Sequence, residues 1–451
     1  MGNIYNFSSD ALLKRIGLTP GKKLLVFLIS AMLISLPLGY AYNSIAVIIF
    51  VLFSALSVKK SGMHFSKALL LPVLLYVLMA LSMIWSKDFH NTFRALSKEA
   101  SLLFIPLSFC FNGKFIRMAK KDILKSYSIA MVFTAIYFLG RAVARYHESG
   151  NSEVFFYHEL ATPAINAIYL SALFSVPMFY FLAVKRKTWW SNLCFVFLFI
   201  VIFLLSSKTV IIIDVLLIAA YSLFFARMPK KARVVLFLVF MASAVTLGYY
   251  GKIKDRLITE FTTKATLANG VNNLTVKDAW EKEQFSHNDY FNGSAFRVYQ
   301  VRVYMELLME DPVIFWTGYG LNASPGKVHE KGLQHNVHPG EADYGYSLQN
   351  FHNQYIETFA DLGIAGLIIL LLMLGYSLKK SIKSKDFIHI AFAILMIALL
   401  LTESFLWRQR GVVFFTVLYC LFNGIRPKGF EKVYEKNSDN GSGRLPGVTP
   451  V

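Results

Sequence analysis

Residues 351–376 read FHNQYIETFADLGIAGLIILLLMLGY, and this stretch decides the fold class. Its second half is an apolar run that, at about 1.5 Å per residue, supplies most of a helix crossing the hydrocarbon of a membrane. The run lacks the two-residue alternation of an outer-membrane barrel strand. The stretch therefore predicts a membrane-spanning α-helix whose polar first residues lie at one membrane face.

Runs of this kind recur along the whole chain. The protein has 451 residues, of which 55% are hydrophobic and 16% charged, and its mean hydropathy is +0.49. This composition excludes a soluble enzyme, a collagen-like fibre and a disordered chain, and it predicts an all-α polytopic membrane protein. About twelve spans are expected, centred near residues 31, 50, 76, 105, 132, 173, 198, 217, 240, 369, 393 and 417.

The distribution of Lys and Arg orients these spans. With a cytoplasmic N-terminus, every short basic connection falls on the inside, for example Lys59-Lys60 and 185–187, as the positive-inside rule requires. Much of the net charge of +19 is then a topology signal rather than a nucleic-acid surface. The first 23 residues are polar and show no cleavable signal. Both termini of the chain are thus expected on the cytoplasmic side of the membrane.

The expected organisation is asymmetric. Spans 1 to 9 occupy residues 1–250, a periplasmic loop 251–356, spans 10 to 12 residues 357–425, and a disordered cytoplasmic tail 426–451. The fourth span is short and contains Pro106, so a re-entrant segment is the alternative. The three cysteines are expected to be buried thiols because no CxxC pair is present: Cys110, Cys194 and Cys420.

Polar and basic side chains concentrate at the outer face. They suit the phosphate of an anionic lipid headgroup, which Arg binds through paired donors; the alternative for each is ordinary snorkelling to the interface. The set comprises Arg141, Arg145, His158, Lys208, Arg297, Arg302, His352, Glu403, Arg408 and Arg410.

Residues 292–322 of the loop, NGSAFRVYQVRVYMELLMEDPVIFWTGYGLN, form a second informative segment. They predict a helix capped by Ser294 and ended at Asp311-Pro312, followed by two glycines. Arg297 and Arg302 lie near its start, about 140° apart around the helix, so one phosphate is not expected to contact both.

The two segments together resemble the O-antigen ligase and polymerase superfamily. Arg297 lies fifteen positions before Pro312 and is followed by the Gly318-Tyr319-Gly320 triplet; the second segment carries His352-Asn353-Gln354-Tyr355 and then 362–366, LGIAG. The pair of motifs, with a dozen spans and a late outer loop, covers most of the protein. Two positions depart from the family pattern: Lys208 replaces an Arg after Ser207, and Val301 replaces an aromatic residue.

The resemblance implies a GT-C-type glycosyltransferase that needs neither a nucleotide sugar nor an obligatory metal or other cofactor. The resemblance also places the chain in a bacterial inner (cytoplasmic) membrane, with the active site on the periplasmic side. The donor would be a glycan on undecaprenyl pyrophosphate and the acceptor lipid A-core or a growing glycan, among membrane lipids and without nucleic acid. Arg297 and Lys208 would stabilise the leaving diphosphate, and His352 would take the acceptor proton. The expected catalytic residues are His352 and Arg297, and the expected substrate-binding residues are Lys208, Arg302, Asn353, Tyr355, Arg408, Arg410 and His158.

Other interpretations stay open. A ligase, a polymerase and a protein O-oligosaccharyltransferase share the donor chemistry, and a flippase or transporter would also have twelve spans. His335 and His338 invite a metal interpretation, but spaced loop histidines are more often solvated, as are the nearby Glu341 and Asp343.

Overall fold

The structure is a computed structural model that describes residues 22–57, 66–162, 165–226, 272–337 and 349–424, with positions 231, 238 and 346. Its first half is helical, because the apolar runs contain few breakers. The helices are α1 (Lys22–Ile34), α2 (Tyr40–Leu56), α3 (Lys67–Leu81), α4 (Phe89–Glu99), α5 (Ser101–Phe111), α6 (Gly113–Ser149), α7 (Tyr157–Leu160), α8 (Ala167–Ala183), α9 (Trp189–Leu204) and α10 (Lys208–Ala220), which continues into a π turn, Tyr221–Phe225.

The second half contains the outer loop and three further helices of the bundle, of which α15 is the longest. In chain order the elements are β1 (Asn272–Leu274), α11 (Val276–Glu281), β2 (Asp289–Phe291), α12 (Gly293–Glu310), α13 (Ile314–Thr317), α14 (Ser324–Gln334), α15 (Gln354–Ser384), α16 (Phe387–Leu399) and α17 (Gln409–Asn423). The two strands pair in parallel, with Asn273 opposite Tyr290.

Within the described residues, four helices are long and apolar enough to cross a membrane: Lys67–Ile84, Ala119–Ser149, Lys208–Phe225 and Gln354–Ser384. Five shorter apolar helices accompany them there, including α8 and α16. The predicted span centres lie in helices except the one near residue 240, which is outside the described residues, as is the predicted 426–451 tail. The fold is that of a polytopic helical membrane protein.

The fourth span is the shortest. Helix α5 has eleven residues, which corresponds to about 16 Å of helix, roughly half the hydrocarbon thickness. Helix α4 precedes it through Ala100, which keeps helical backbone angles. At its far end, Cys110 interacts with the backbone of Ser66, next to the start of α3. The end of α5 therefore lies beside the start of α3.

Side-chain contacts join connections at two ends of the helix bundle. At one end, Lys120 Nζ lies 2.7 Å from the Asp386 carboxylate, between α15 and α16. At the other, Trp407 Nε1 donates to Asn322 Oδ1 over 2.8 Å, which joins the α16–α17 connection to the outer loop. The buried cysteines are Cys110 and Cys420, whereas Cys194 is half-buried.

The described part of the outer loop has its own hydrophobic core, built on α12. Phe291, Tyr299 and Val303 belong to a cluster separate from that of the helix bundle. The predicted cap at Ser294 is wrong: helix α12 begins at Gly293, and the Asn292 side chain accepts from the backbone N–H groups of residues 294 and 295. Asn292 also donates to Leu274 O over 2.9 Å, so the cap ties the helix to β1. The predicted end at Asp311 is confirmed.

Two glycines dock this loop onto α15. Gly363 interrupts the helix with φ 64° and ψ −166°. Because the helix is interrupted there, the carbonyls of Ala360 and Asp361 accept from the loop, from Tyr319 N at 2.8 Å and Gly320 N at 2.9 Å. A Cβ at Gly318 would lie closer than 3.0 Å to the Asp361 backbone. The Gly318-Tyr319-Gly320 triplet of the loop and the 362–366 motif of α15 thus meet in one backbone contact.

Candidate functional site

His352 lies immediately before α15, between the outer loop and the bundle. Its backbone has a φ of 47°, a left-handed conformation that non-glycine residues adopt at an energetic cost and that is common at functional sites. Its Nδ1 lies 3.4 Å from Glu403 Oε2, and its Nε2 lies 3.1 Å from Gln349 Oε1. The His352 and Glu403 side chains are 25% and 6% exposed. This arrangement is an imidazole oriented by a carboxylate.

A buried network fixes the connection that carries Glu403. The Glu357 carboxylate accepts from Phe351 N at 3.1 Å and from Ser404 Oγ at 2.9 Å. One Glu357 oxygen therefore joins the residue before His352 to the residue after Glu403. Because Phe351 and Ser404 both bind the Glu357 carboxylate, the backbone positions of His352 and Glu403 are fixed relative to each other.

Asn353 and Tyr355 act on the same helix start. The Asn353 side chain is the N-cap of α15 and accepts from the N–H groups of Tyr355 and Ile356. The Tyr355 hydroxyl donates to Ile397 O over 2.9 Å, which joins α15 to α16. In this structure both residues orient the helix that presents His352.

Arg297 reaches the same connection from the loop helix. Its Nε donates to Thr402 O over 2.9 Å, and its Nη1 donates to Gly293 O over 2.8 Å. Thr402 immediately precedes Glu403, so the structure brings the two predicted catalytic residues to one connection. The half-buried Lys208 begins α10 after Ser207.

Arg302 points elsewhere, as its helical spacing predicts. Its Nε lies 2.7 Å from Glu306 Oε1, and its side chain is 12% exposed. Beside it, His335 lies between the Tyr299 hydroxyl at 3.0 Å and Glu306 Oε2 at 3.0 Å. The expectation of a solvated His335 is wrong, because the core around Tyr299 buries it. Burial lowers the pKa of His335, although the Glu306 carboxylate acts in the opposite direction.

A cavity of about 570 Å³ opens beside α6 and the short helix α7. Its charged lining comes from three arginines, one histidine and one carboxylate: Arg141, Arg145, His158, Glu159 and Arg408. We call it the arginine pocket. The predicted substrate-binding residues His158 and Arg408 lie in it. Arg410 does not line it: this residue is buried and its guanidinium lies over the Tyr40 ring, 4.3 Å from the centroid.

The sequence of residues 193–371 matches the family model described as O-Antigen ligase. We call residues 193–371, less than half of the chain, the O-antigen ligase domain after the family model that they match. The match supports an O-antigen ligase or polymerase type of function and a membrane glycosyltransferase-like enzyme. No protein of curated function matches the chain.

The domain contains only part of the assembled site. Arg297, His352 and Lys208 lie within it, whereas Glu403 and all residues of the arginine pocket lie outside. Sequence reasoning named Glu403 among the outer-face residues but gave it no role, since 51 positions separate it from His352. A carboxylate in a short outer connection between two apolar runs is the signal that was available.

Metal ligation finds no support in the part of the chain that the structure describes. There, no group of three or more His, Cys, Asp and Glu side chains is arranged to hold an ion. His338, Glu341 and Asp343, for which a metal role was weighed, lie outside the described residues.

Proposed function

We propose that this chain transfers an O-antigen-like glycan from undecaprenyl pyrophosphate to lipid A-core, on the periplasmic side of the inner membrane. The observation that carries the proposal is the His352–Glu403 pair, beside Arg297 and at the end of the O-antigen ligase domain. A base oriented by a carboxylate is what activation of an acceptor hydroxyl needs.

In the proposed reaction, the two ring nitrogens of His352 and the Glu403 carboxylate have separate roles. With Nδ1–H donated to Glu403, His352 Nε2 carries the lone pair and faces the Gln349 side chain. Gln349 Oε1 is itself an acceptor, so in this tautomer the Gln349 amide turns its NH2 group toward the ring. An acceptor hydroxyl replaces Gln349 there. Its oxygen attacks the anomeric carbon, its proton passes to Nε2, and Glu403 stabilises the resulting imidazolium.

The leaving group departs as the new bond forms. The sugar–oxygen bond of the donor breaks, and the lipid diphosphate leaves with the electron pair. Arg297 and Lys208 stabilise its charge in the GT-C-type, metal-independent reaction that we propose. The carbonyls of Thr402 and Gly293 hold the Arg297 guanidinium in place before the donor arrives.

Cells that lack the protein test the acceptor. A ligase deletion leaves bare lipid A-core and long lipid-linked chains, whereas single repeats on the core would indicate a polymerase and contradict the proposal. A protein O-oligosaccharyltransferase would leave lipopolysaccharide intact and unglycosylated proteins behind.

Reporter fusions test the proposed topology of about twelve spans with cytoplasmic termini. A reporter active only in the periplasm should be active when fused near Asn273 and inactive near Lys383. The opposite pattern would remove the site from the periplasm.

A further inference from the structure

The arginine pocket combines charge and space in a way that the catalytic pair does not use. Arg141 and Arg145 lie one turn apart on α6, His158 and Glu159 lie on α7, and Arg408 comes from the α16–α17 connection. Three guanidinium groups share the lining with one carboxylate. An anion in this cavity would therefore meet a surplus of positive charge.

The protein groups already present constrain two of these arginines. Arg145 forms an ion pair with Glu159 and donates to Glu159 O at 2.8 Å. Arg141 donates through Nη2 to the carbonyls of Glu159 and Ala161. These bonds hold both guanidinium groups at the lining. The Arg141 Nε is buried and has no hydrogen-bond partner among the described residues, so Arg141 would contact an anion through its terminal nitrogens.

Arg408 completes the lining from the other side. It is exposed, and its guanidinium carbon lies 6.0 Å from the centroid of the Tyr169 ring. The Tyr169 hydroxyl donates to Phe405 O over 3.1 Å, in the connection that also carries Glu403. The pocket and the catalytic pair are thus joined through one connection of the chain.

We propose that the arginine pocket binds a phosphate group of the glycolipid acceptor. Planar guanidinium groups bind phosphate through paired donors, and about 570 Å³ accommodates a sugar phosphate rather than a bare ion. The donor diphosphate is assigned to Arg297 and Lys208, which do not line this pocket. The inference rests on the proposed function for its choice of substrate, but binding is measured without turnover.

The test uses the full chain in detergent and measures binding of bis-phosphorylated lipid A. Loss of one charge-assisted contact in Arg408→Gln should weaken binding about ten-fold or more. Arg94→Gln, an exposed arginine on α4 away from the pocket, is the matched control and should bind normally. Because Arg408 is exposed, its replacement leaves the fold intact; Glu159→Gln removes the one carboxylate of the lining and should tighten binding.

Three further ligands identify the source of the phosphate. Dephosphorylated lipid A should bind weakly to every variant. If Arg408→Gln weakens binding of undecaprenyl pyrophosphate and not of lipid A, the pocket serves the donor and the acceptor assignment is overturned. Equal competition by phosphatidylglycerol would also overturn it, because any anionic headgroup would then suffice.

Kinetics separate this inference from the proposed function. If both hold, Arg408→Gln raises KM for the acceptor and leaves kcat nearly unchanged. Phosphate-dependent lipid A binding in a protein that transfers no glycan would remove the proposed function and keep the pocket. Unchanged lipid A affinity in both Arg408→Gln and Arg141→Gln would remove the pocket alone.

Discussion

Replacing Gly363 by Ala should separate the outer loop from α15. The native φ of 64° with ψ −166° is a region essentially restricted to glycine, and a side chain there costs about 1–3 kcal/mol from the backbone alone. The new Cβ would lie closer than 3.0 Å to the Trp316 carbonyl. Since the atoms that this Cβ would meet belong to the backbone, no side-chain rotation relieves the clash, and the contact between the outer loop and α15 must open.

The assay is thermal unfolding in detergent alongside glycan transfer. At roughly 2–4 °C per kcal/mol for a domain of 150–250 residues, the backbone term alone predicts a fall in Tm of roughly 2–12 °C. Transfer should also fall, because the loop that carries Arg297 loses its fixed position relative to His352. Gly375→Ala is the matched control: its Cβ would meet nothing within 4 Å, and in a helix the change should stabilise by about 0.5–1 kcal/mol. Equal Tm values for the two variants would refute the docking role of Gly363.

Three further outcomes follow from the site. His352→Ala should leave donor binding nearly intact and depress turnover by about two to four powers of ten. Glu403→Gln should lower kcat by a smaller factor and leave KM unchanged. A normal rate of transfer by purified His352→Ala would exclude His352 as the base. Arg297→Ala should abolish transfer without loss of protein from the membrane, and Arg297→Lys should recover only part of the transfer activity, because a point charge lacks the planar donor pair. Full activity of Arg297→Ala would place the diphosphate elsewhere. Burial lowers the folded-state pKa of His335, so the stability that the neutral ring supports is present above the unfolded pKa of about 6.5 and lost as pH falls below it, by up to about 1.4 kcal/mol per pH unit. His335→Gln should therefore reduce the fall in Tm between pH 7 and pH 5, and an unchanged fall would contradict the assignment.

The helices were predictable because hydropathy is a local property. Each apolar run must satisfy its own backbone hydrogen bonds in lipid, so helix is its only solution. The break at Gly363 was not predictable in the same way. It depends on a loop backbone more than forty positions earlier that supplies donors to the carbonyls of Ala360 and Asp361.

Burial in the outer loop was the weakest part of the prediction. Loop residues are expected at the surface, yet His335 lies against Tyr299 because this loop has a core of its own. The Ser294 cap failed for a related reason. Asn292 and Ser294 are both good caps, and the contact of Asn292 with Leu274, eighteen positions away, selects between them.

The separation of His352 and Glu403 along the chain bears on biogenesis. Translation produces residues 193–371 and both family motifs before the α16–α17 connection leaves the ribosome. A nascent chain halted before Glu403 therefore carries the whole O-antigen ligase domain but only His352 of the His352–Glu403 pair. Insertion of the last helices brings the Thr402–Glu403 connection to Arg297 and His352, so the protein would become active only when its membrane insertion is finished.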